Sequence, residues 1–228
     1  MRGIPIDANE LAERLRIADT SEKQMEALRE AMSSFSNSAE RQRFLNDHMI
    51  SEPILYGPLA KRLGDNLEPF NVLQGDIIRT EAAFTPTHRR RGGATFLVAT
   101  ATCDLIVGRR ESVLLYGIEP RRRSDFASDG DYRSEISPVL KFKTTNGLYL
   151  PALPNDDEDV MYNRLRLDDI AIFNNAHLAT VERCASLKML GWRIFALFNG
   201  YVICREADDE VQLRMAWQDV PSARRRAS

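Results

Sequence analysis

VLQGDIIRTEAAF (72–84), THRRRGGATFLVATATCDLIVGRRES (87–112) and VLLYGIEPRRR (113–123) set a Gly-Asp turn and two apolar runs between three clusters of arginine. The runs are rich in Val, Ile, Leu and Phe, and Gly, Asp or Pro bounds them, which is how short β-strands read. Further strands are expected at 139–144, 148–151, 169–173 and 179–183, giving seven in all with 72–84, 94–103 and 112–118. Asn146-Gly147 inside KFKTTNGLYL suits a tight turn with positive φ, so 141–150 reads as a hairpin. Strands this short and this evenly spaced predict a curled antiparallel sheet or small barrel, not a parallel sheet wound with helices.

Upstream the period changes to that of helices. Asp7 can cap a helix whose apolar positions Leu11, Leu15 and Ala18 share a face, and Asp19-Thr20-Ser21 offers a cap for the stripe Met25, Leu28, Met32. Ser38 is read as the cap of a third segment holding Phe44, Leu45 and Met49. Glu52-Pro53 starts a fourth that Gly64 ends. Downstream, 187–205 (LKMLGWRIFALFNGYVICR) carries Leu187, Leu190, Ile194, Leu197 and Phe198 on one helical face, and Trp192 and Phe195 widen it. Gly191 and Gly200 each weaken a helix by about 1 kcal/mol relative to alanine. The expectation is an α+β protein: an N-terminal helical segment (1–66), a small SH3-like antiparallel β-barrel (67–217) closed by a late buried helix (187–205), and a flexible tail (218–228).

Apolar residues make up 43% of the 228, enough for a sizeable core. The net charge of −2 argues against a general nucleic-acid coat. Only 71–150 is locally basic, with 12 basic against 9 acidic side chains, so a polyanion site belongs there. Arginine outnumbers lysine 26 to 5 throughout, which fits a GC-rich genome as well as phosphate recognition. Cys103, Cys184 and Cys204 are odd in number and form no CxxC pair, and His48, His88 and His177 do not stand at ligand spacing from them. Neither a disulfide framework nor a structural zinc site is expected, and no cofactor or metal is implied. The opening MRGIPIDANELAERL lacks an apolar signal core, and 194–204 is too short and too broken to span a bilayer. A cytoplasmic protein with no membrane partner is the expectation.

Four constellations carry possible chemistry. Gln74-Gly75-Asp76 is a turn into a strand with aspartate bonding nearby amides. Cys103 lacks an adjacent base, so it reads as a packed core cysteine. Asp104 at a strand end with Glu119 and Arg121 on the next loosely matches a metal-dependent nuclease arrangement. Arginine cannot serve there as a base, however, and Pro120 would disturb the strand. Last, Arg89, Arg90, Arg91, Arg109, Arg110, Arg121, Arg122 and Arg123 form a nucleic-acid-binding set if their loops converge on one mouth of the barrel.

The GDI sequence entering a long strand, followed by an arginine-rich loop and a buried strand, resembles the opening of the MazF/PemK toxin family over residues 73–120. That resemblance implies an SH3-like barrel and cleavage of single-stranded RNA, with one of Arg89, Arg90 or Arg91 supplying the loop arginine. Gly92-Gly93 replaces the family's Arg-Pro, and Glu119-Pro120 stands where its polar strand end should be. The functional expectation is therefore a non-catalytic bacterial interaction or accessory protein, of a mobile-element or phage-defence system, with a basic barrel face that touches nucleic acid. Its protein partner would dock through the N-terminal helices or as an oligomer. The alternative is a MazF-like metal-independent endoribonuclease using Arg89, Arg90, Arg91 and Asp104.

Overall fold

The computed structural model describes residues 6–54, 72–85, 90–91, 94–105, 109–144 and 147–203. Three helices lead: α1 (Ala8–Ile17), α2 (Ser21–Ser34) and α3 (Ser38–Met49). Asp7 Oδ1 accepts from the Asn9 and Glu10 amides, and Thr20 Oγ1 from Lys23, so the expected caps form. On α3 the cap is Asn37, whose Oδ1 accepts from Glu40 N at 2.9 Å, one residue before the expected Ser38. Arg41 is buried and donates to Met32 O and Phe35 O, occupying carbonyls that the end of α2 leaves without helical partners. Most of the expected fourth helix (52–64), like the 218–228 tail, lies outside the described residues.

Nine strands among the described residues form one antiparallel sheet: β1 (Ile50–Ser51), β2 (Asp76–Thr80), β3 (Ala83–Phe84), β4 (Arg90–Arg91), β5 (Ala94–Val98), β6 (Ser112–Arg122), β7 (Gly147–Leu150), β8 (Val160–Asn174) and β9 (Glu182–Leu187). Their order is β1-β9-β2-β5-β6-β8-β3-β4, with β7 also on β8. Only Glu81 and Ala82 separate β2 from β3, yet β2 pairs with β5 while β3 pairs with β8. The path β2-β5-β6-β8-β3 thus returns to the stretch of chain it left, which curls the sheet like a small barrel. Pro120 sits inside β6 opposite Asn163, where β6 has no β5 partner beyond Gly117, and such an edge tolerates proline.

Sequence reading missed α4 (Asp129–Leu140). Of residues 139–144, expected as a strand, Val139 and Leu140 finish this helix and 141–144 are turn and irregular chain, so the 141–150 hairpin loses its first strand. Ser128 caps α4 by accepting from Asp131 N, and Pro138 lies in its last turn. Local propensity disfavours this helix, and the packing of Ile136, Val139 and Leu140 on the main core holds it. The strand expected at 179–183 is present only in part: Ala179 and Thr180 end a 3₁₀ turn (Asn175–Thr180), and β9 begins at Glu182. The strand expected at 94–103 ends at Val98, and Thr102–Leu105 is a 3₁₀ turn.

The sheet is apolar on both sides. Ile78, Phe96, Val98, Val113, Leu115 and Phe173 fill the inside of the curl. Their strand neighbours Ile77, Leu97 and Tyr116 face outward into a larger core shared with α1, α2, α3, α4 and α5 (Met189–Ile203). Period-2 alternation with both faces buried explains why DII, FLV and VLLY read as unbroken apolar runs. Gly191 lets α5 approach the end of α3, since a Cβ there would fall on the Met49 carbonyl oxygen. Trp192, expected in the core, is exposed, and its Nε1 donates to Gln74 Oε1 at 3.3 Å; Phe195 on the same helix is fully buried.

Asp76 anchors the first barrel strand. Gly75 takes φ +87°, a value that favours glycine, and the turn delivers the Asp76 carboxylate into the interior at 1% exposure. Oδ2 accepts from Leu73 N at 2.8 Å and lies 2.9 Å from Arg183 Nε, while Oδ1 accepts from Ser186 Oγ at 2.5 Å. Ser186 Oγ accepts from Ile54 N, and Arg183 donates to Ile54 O, so the same cluster clamps the chain leaving β1.

Candidate interaction face

The outer face of the sheet is only partly covered. Near β9 and β2, α5 lies over it: Phe195 meets the Tyr116 ring edge-on at 6.3 Å, and the Tyr116 hydroxyl donates to Asn199 Oδ1 at 2.7 Å. Beyond Tyr116 the same face continues without cover among the described residues. Phe84 (43% exposed), Ile172 (40%), Leu114 (36%) and Ile170 (36%) stand there on β3, β8 and β6. Register places Phe84 opposite Ile172, Ile172 opposite Leu114, and Ile170 opposite Tyr116, so the four form one contiguous apolar surface. A cleft of about 600 Å³ opens beside it, lined by Phe84, Thr85, Glu111, Ile172, Asn174 and His177. The local signal in the sequence is Ile170-Ala171-Ile172-Phe173, four apolar residues in succession, whose odd and even members face opposite sides.

The arginine clusters do not share one end of the fold. Arg109-Arg110 precede β6 and Arg121-Arg122-Arg123 finish it, about 30 Å away along eleven residues of strand. Arg90-Arg91 are β4, the sheet edge next to Phe84, and so lie on the Arg109-Arg110 side; Arg89 lies outside the described residues.

Carboxylates hold most of the described guanidiniums. Arg110 Nε is 2.8 Å from Asp104 Oδ2, and Arg109 donates to Cys103 O at 3.0 Å. Arg121 binds Glu135 through two bonds of 2.9 and 2.7 Å, with Glu119 and Asp125 close by and the Phe126 ring beneath. Arg122 pairs with Asp157 and Asp159 of the acidic loop, and Arg123 with Asp129. Glu119 also holds Arg166, at the far end of β6 from Asp104, so the nuclease-like arrangement is not assembled. Cys103 is exposed on its 3₁₀ turn, a correction to the core reading.

Glu135 couples this network to pH. Burial pushes its carboxyl up, but hydrogen bonds from Arg121 and Tyr162 outweigh burial and hold it below its ordinary value. A depressed folded value means stability present above the unfolded carboxylate range and lost as pH falls through the lower folded value. Thermal midpoints measured from neutral pH into acid should therefore fall less steeply for Glu135→Gln than for the native chain, at some loss of stability at neutral pH. Parallel acid limbs would remove Glu135 from the acid response.

No family model matches this chain, and the searches of curated proteins and of solved structures return no match.

Proposed function

We propose that this is a non-catalytic interaction protein whose SH3-like barrel, sealed by α5, offers its exposed outer face to a partner and contacts nucleic acid through Arg89, Arg90 and Arg91, the last two forming the adjoining edge strand β4. The observation that carries the reading is the apolar surface of Phe84, Leu114, Ile170 and Ile172 beside an arginine edge strand. Exposed contiguous apolar surface on an otherwise buried sheet marks an interaction site. Polyanion contact belongs to this end because Arg121, Arg122 and Arg123 at the other end are already tied to acids. Asp104, the carboxylate assigned to the endoribonuclease alternative, is engaged with Arg110, which supports binding over chemistry. The mobile-element or phage-defence setting rests on the toxin-like resemblance of 73–120 and on the arginine-rich composition that fits a GC-rich genome; a cytoplasmic setting is part of the same proposal.

Replacing Arg89, Arg90 and Arg91 together by alanine tests the assignment. Affinity for single-stranded RNA or DNA should weaken gradually, and the slope of log affinity against log salt should flatten by about 0.7 for each phosphate contact removed. Unchanged binding at every salt concentration would refute the basic-edge reading. RNA cleavage by the native chain in EDTA, lost in the triple variant, would replace the binding module with a metal-independent nuclease.

A further inference from the structure

We propose that residues 211–217 of this chain pack over the exposed sheet face as its own cover, which a partner has to displace. This rests on the interaction reading above and adds the regulation of that face. Register joins the covered and the open parts of the face in single rows. Ala185, Ile77, Leu97 and Tyr116 stand opposite one another in turn across β9, β2, β5 and β6, and Ile170 on β8 continues their row. The first four are fully buried and Ile170 is exposed. The neighbouring row behaves alike: buried Ala99, whose amide donates to Leu114 O, is followed by exposed Leu114, Ile172 and Phe84. In both rows the cover gives out between β5 and β8.

What ends there is α5. It starts beside β1 and β9, where Lys188 N donates to Met49 O, and passes the Gln74 turn at Trp192. It reaches β6 where Asn199 accepts from the Tyr116 hydroxyl. From Met189 to Asn199 the helix rises about 15 Å, close to the three strand spacings of about 14 Å between β9 and β6. Its axis therefore points across the strands toward β8 and β3, and it ends at Ile203, one turn farther on. From β6 to β3 is only two strand spacings, about 10 Å. The chain that follows reads CREADDE (204–210) and then VQLRMAW (211–217). The charged first part has no apolar side to lend, but its seven residues span about 23 Å when extended, enough to bring the second part over Ile172. In that second part Val211, Leu213, Met215 and Trp217 alternate with Gln212, Arg214 and Ala216, the pattern of a segment with one apolar side. The other long stretch outside the described residues, 55–71, is anchored at both ends away from this face. Ile54 is held by Ser186 and Arg183, and Val72 lies inside the curl. A segment tethered this closely acts at a roughly millimolar effective concentration, so a partner for the face must outbind it.

Trp192 and Trp217 are the chain's two tryptophans, so Trp192→Phe leaves Trp217 as a fluorescent reporter. Its emission should be blue-shifted and shielded from acrylamide. Ile172→Glu in the same background should shift the emission to the red and open it to the quencher, with an unchanged circular dichroism spectrum. In a Cys103→Ser, Cys204→Ser background, Ile172→Cys should form a disulfide within one chain with Leu213→Cys or Met215→Cys, several-fold faster than with Gln212→Cys or Arg214→Cys. A Trp217 open to quencher in the Trp192→Phe chain overturns the proposal. So does a shielded Trp217 that is indifferent to Ile172→Glu and shows no preference among the disulfides, which places the segment elsewhere. A disulfide that forms only between chains also overturns it and gives the face to a second copy. If Ile172→Glu unfolds, the disulfide preference decides. Leu213→Asp with Trp217→Asp in the full chain should free the face and raise binding of the dye anilinonaphthalene sulfonate several-fold. Strong dye binding by a native chain whose Trp217 is open sinks the cover and leaves the interaction reading standing. A shielded, cross-linking segment whose release brings no added dye binding keeps the cover and sinks the interaction reading.

Discussion

Asp76→Ala should lower the unfolding free energy by about 3–5 kcal/mol, because it leaves the Arg183 guanidinium without its carboxylate in a largely buried site. It also strips the Leu73 amide and the Ser186 hydroxyl of their acceptor. For a chain of this size the thermal midpoint should drop on the order of 10 °C. Asp76→Asn keeps one acceptor oxygen, enough for either Leu73 N or Ser186 Oγ, so it should lose less. Urea unfolding of both variants gives the comparison, and an alanine variant within about 1 kcal/mol of native would mean the Asp76–Arg183 pair contributes little.

Phe195→Ala should be nearly as damaging, at about 3–5 kcal/mol, since a fully buried ring leaves a cavity between α5 and the sheet. Trp192→Ala, three residues earlier on the same helix, should lose only about 1 kcal/mol, because its indole is partly in water and holds one long hydrogen bond to Gln74. Equal losses at the two positions would show that α5 is turned about its axis relative to the sheet.

These two helix positions show where sequence reading succeeds and where it stops. Of the expected stripe Leu187, Leu190, Ile194, Leu197 and Phe198, the last four lie on α5 and are buried, whereas Leu187 ends β9. Which aromatic beside the stripe goes inward depends on what faces it, and Trp192 meets the polar Gln74 turn. The strands at 76–80, 94–98 and 112–118 were legible because both of their faces are apolar, so any register gives the same unbroken run. Helix α4 was not legible: DGDYRSEISPVL carries Gly, Pro and only a few core residues, and distant packing decides its state. The arginine clusters were visible as charge, but their partners were not. Asp157 and Asp159 stand some 35 residues beyond Arg122 in a loop that looked solvated, and only the β6–β8 register brings them together. The apolar face was present in Ile170–Phe173, yet a short apolar run does not say which of its sides the helices leave open.

The pairing of β2 with β9 sets a schedule for biosynthesis. Asp76 meets Ser186, 110 positions later, and only then does the first barrel strand gain its second neighbour. At ordinary translation rates of about 5–20 residues per second, that wait lasts on the order of 5–20 s. Throughout it, Ile77 and Ile78 sit on a strand with one open edge, although β5 has long since arrived to pair the other. The nascent chain, rather than the finished protein, is the form most prone to aggregate, and its danger ends when Leu187 clears the ribosome.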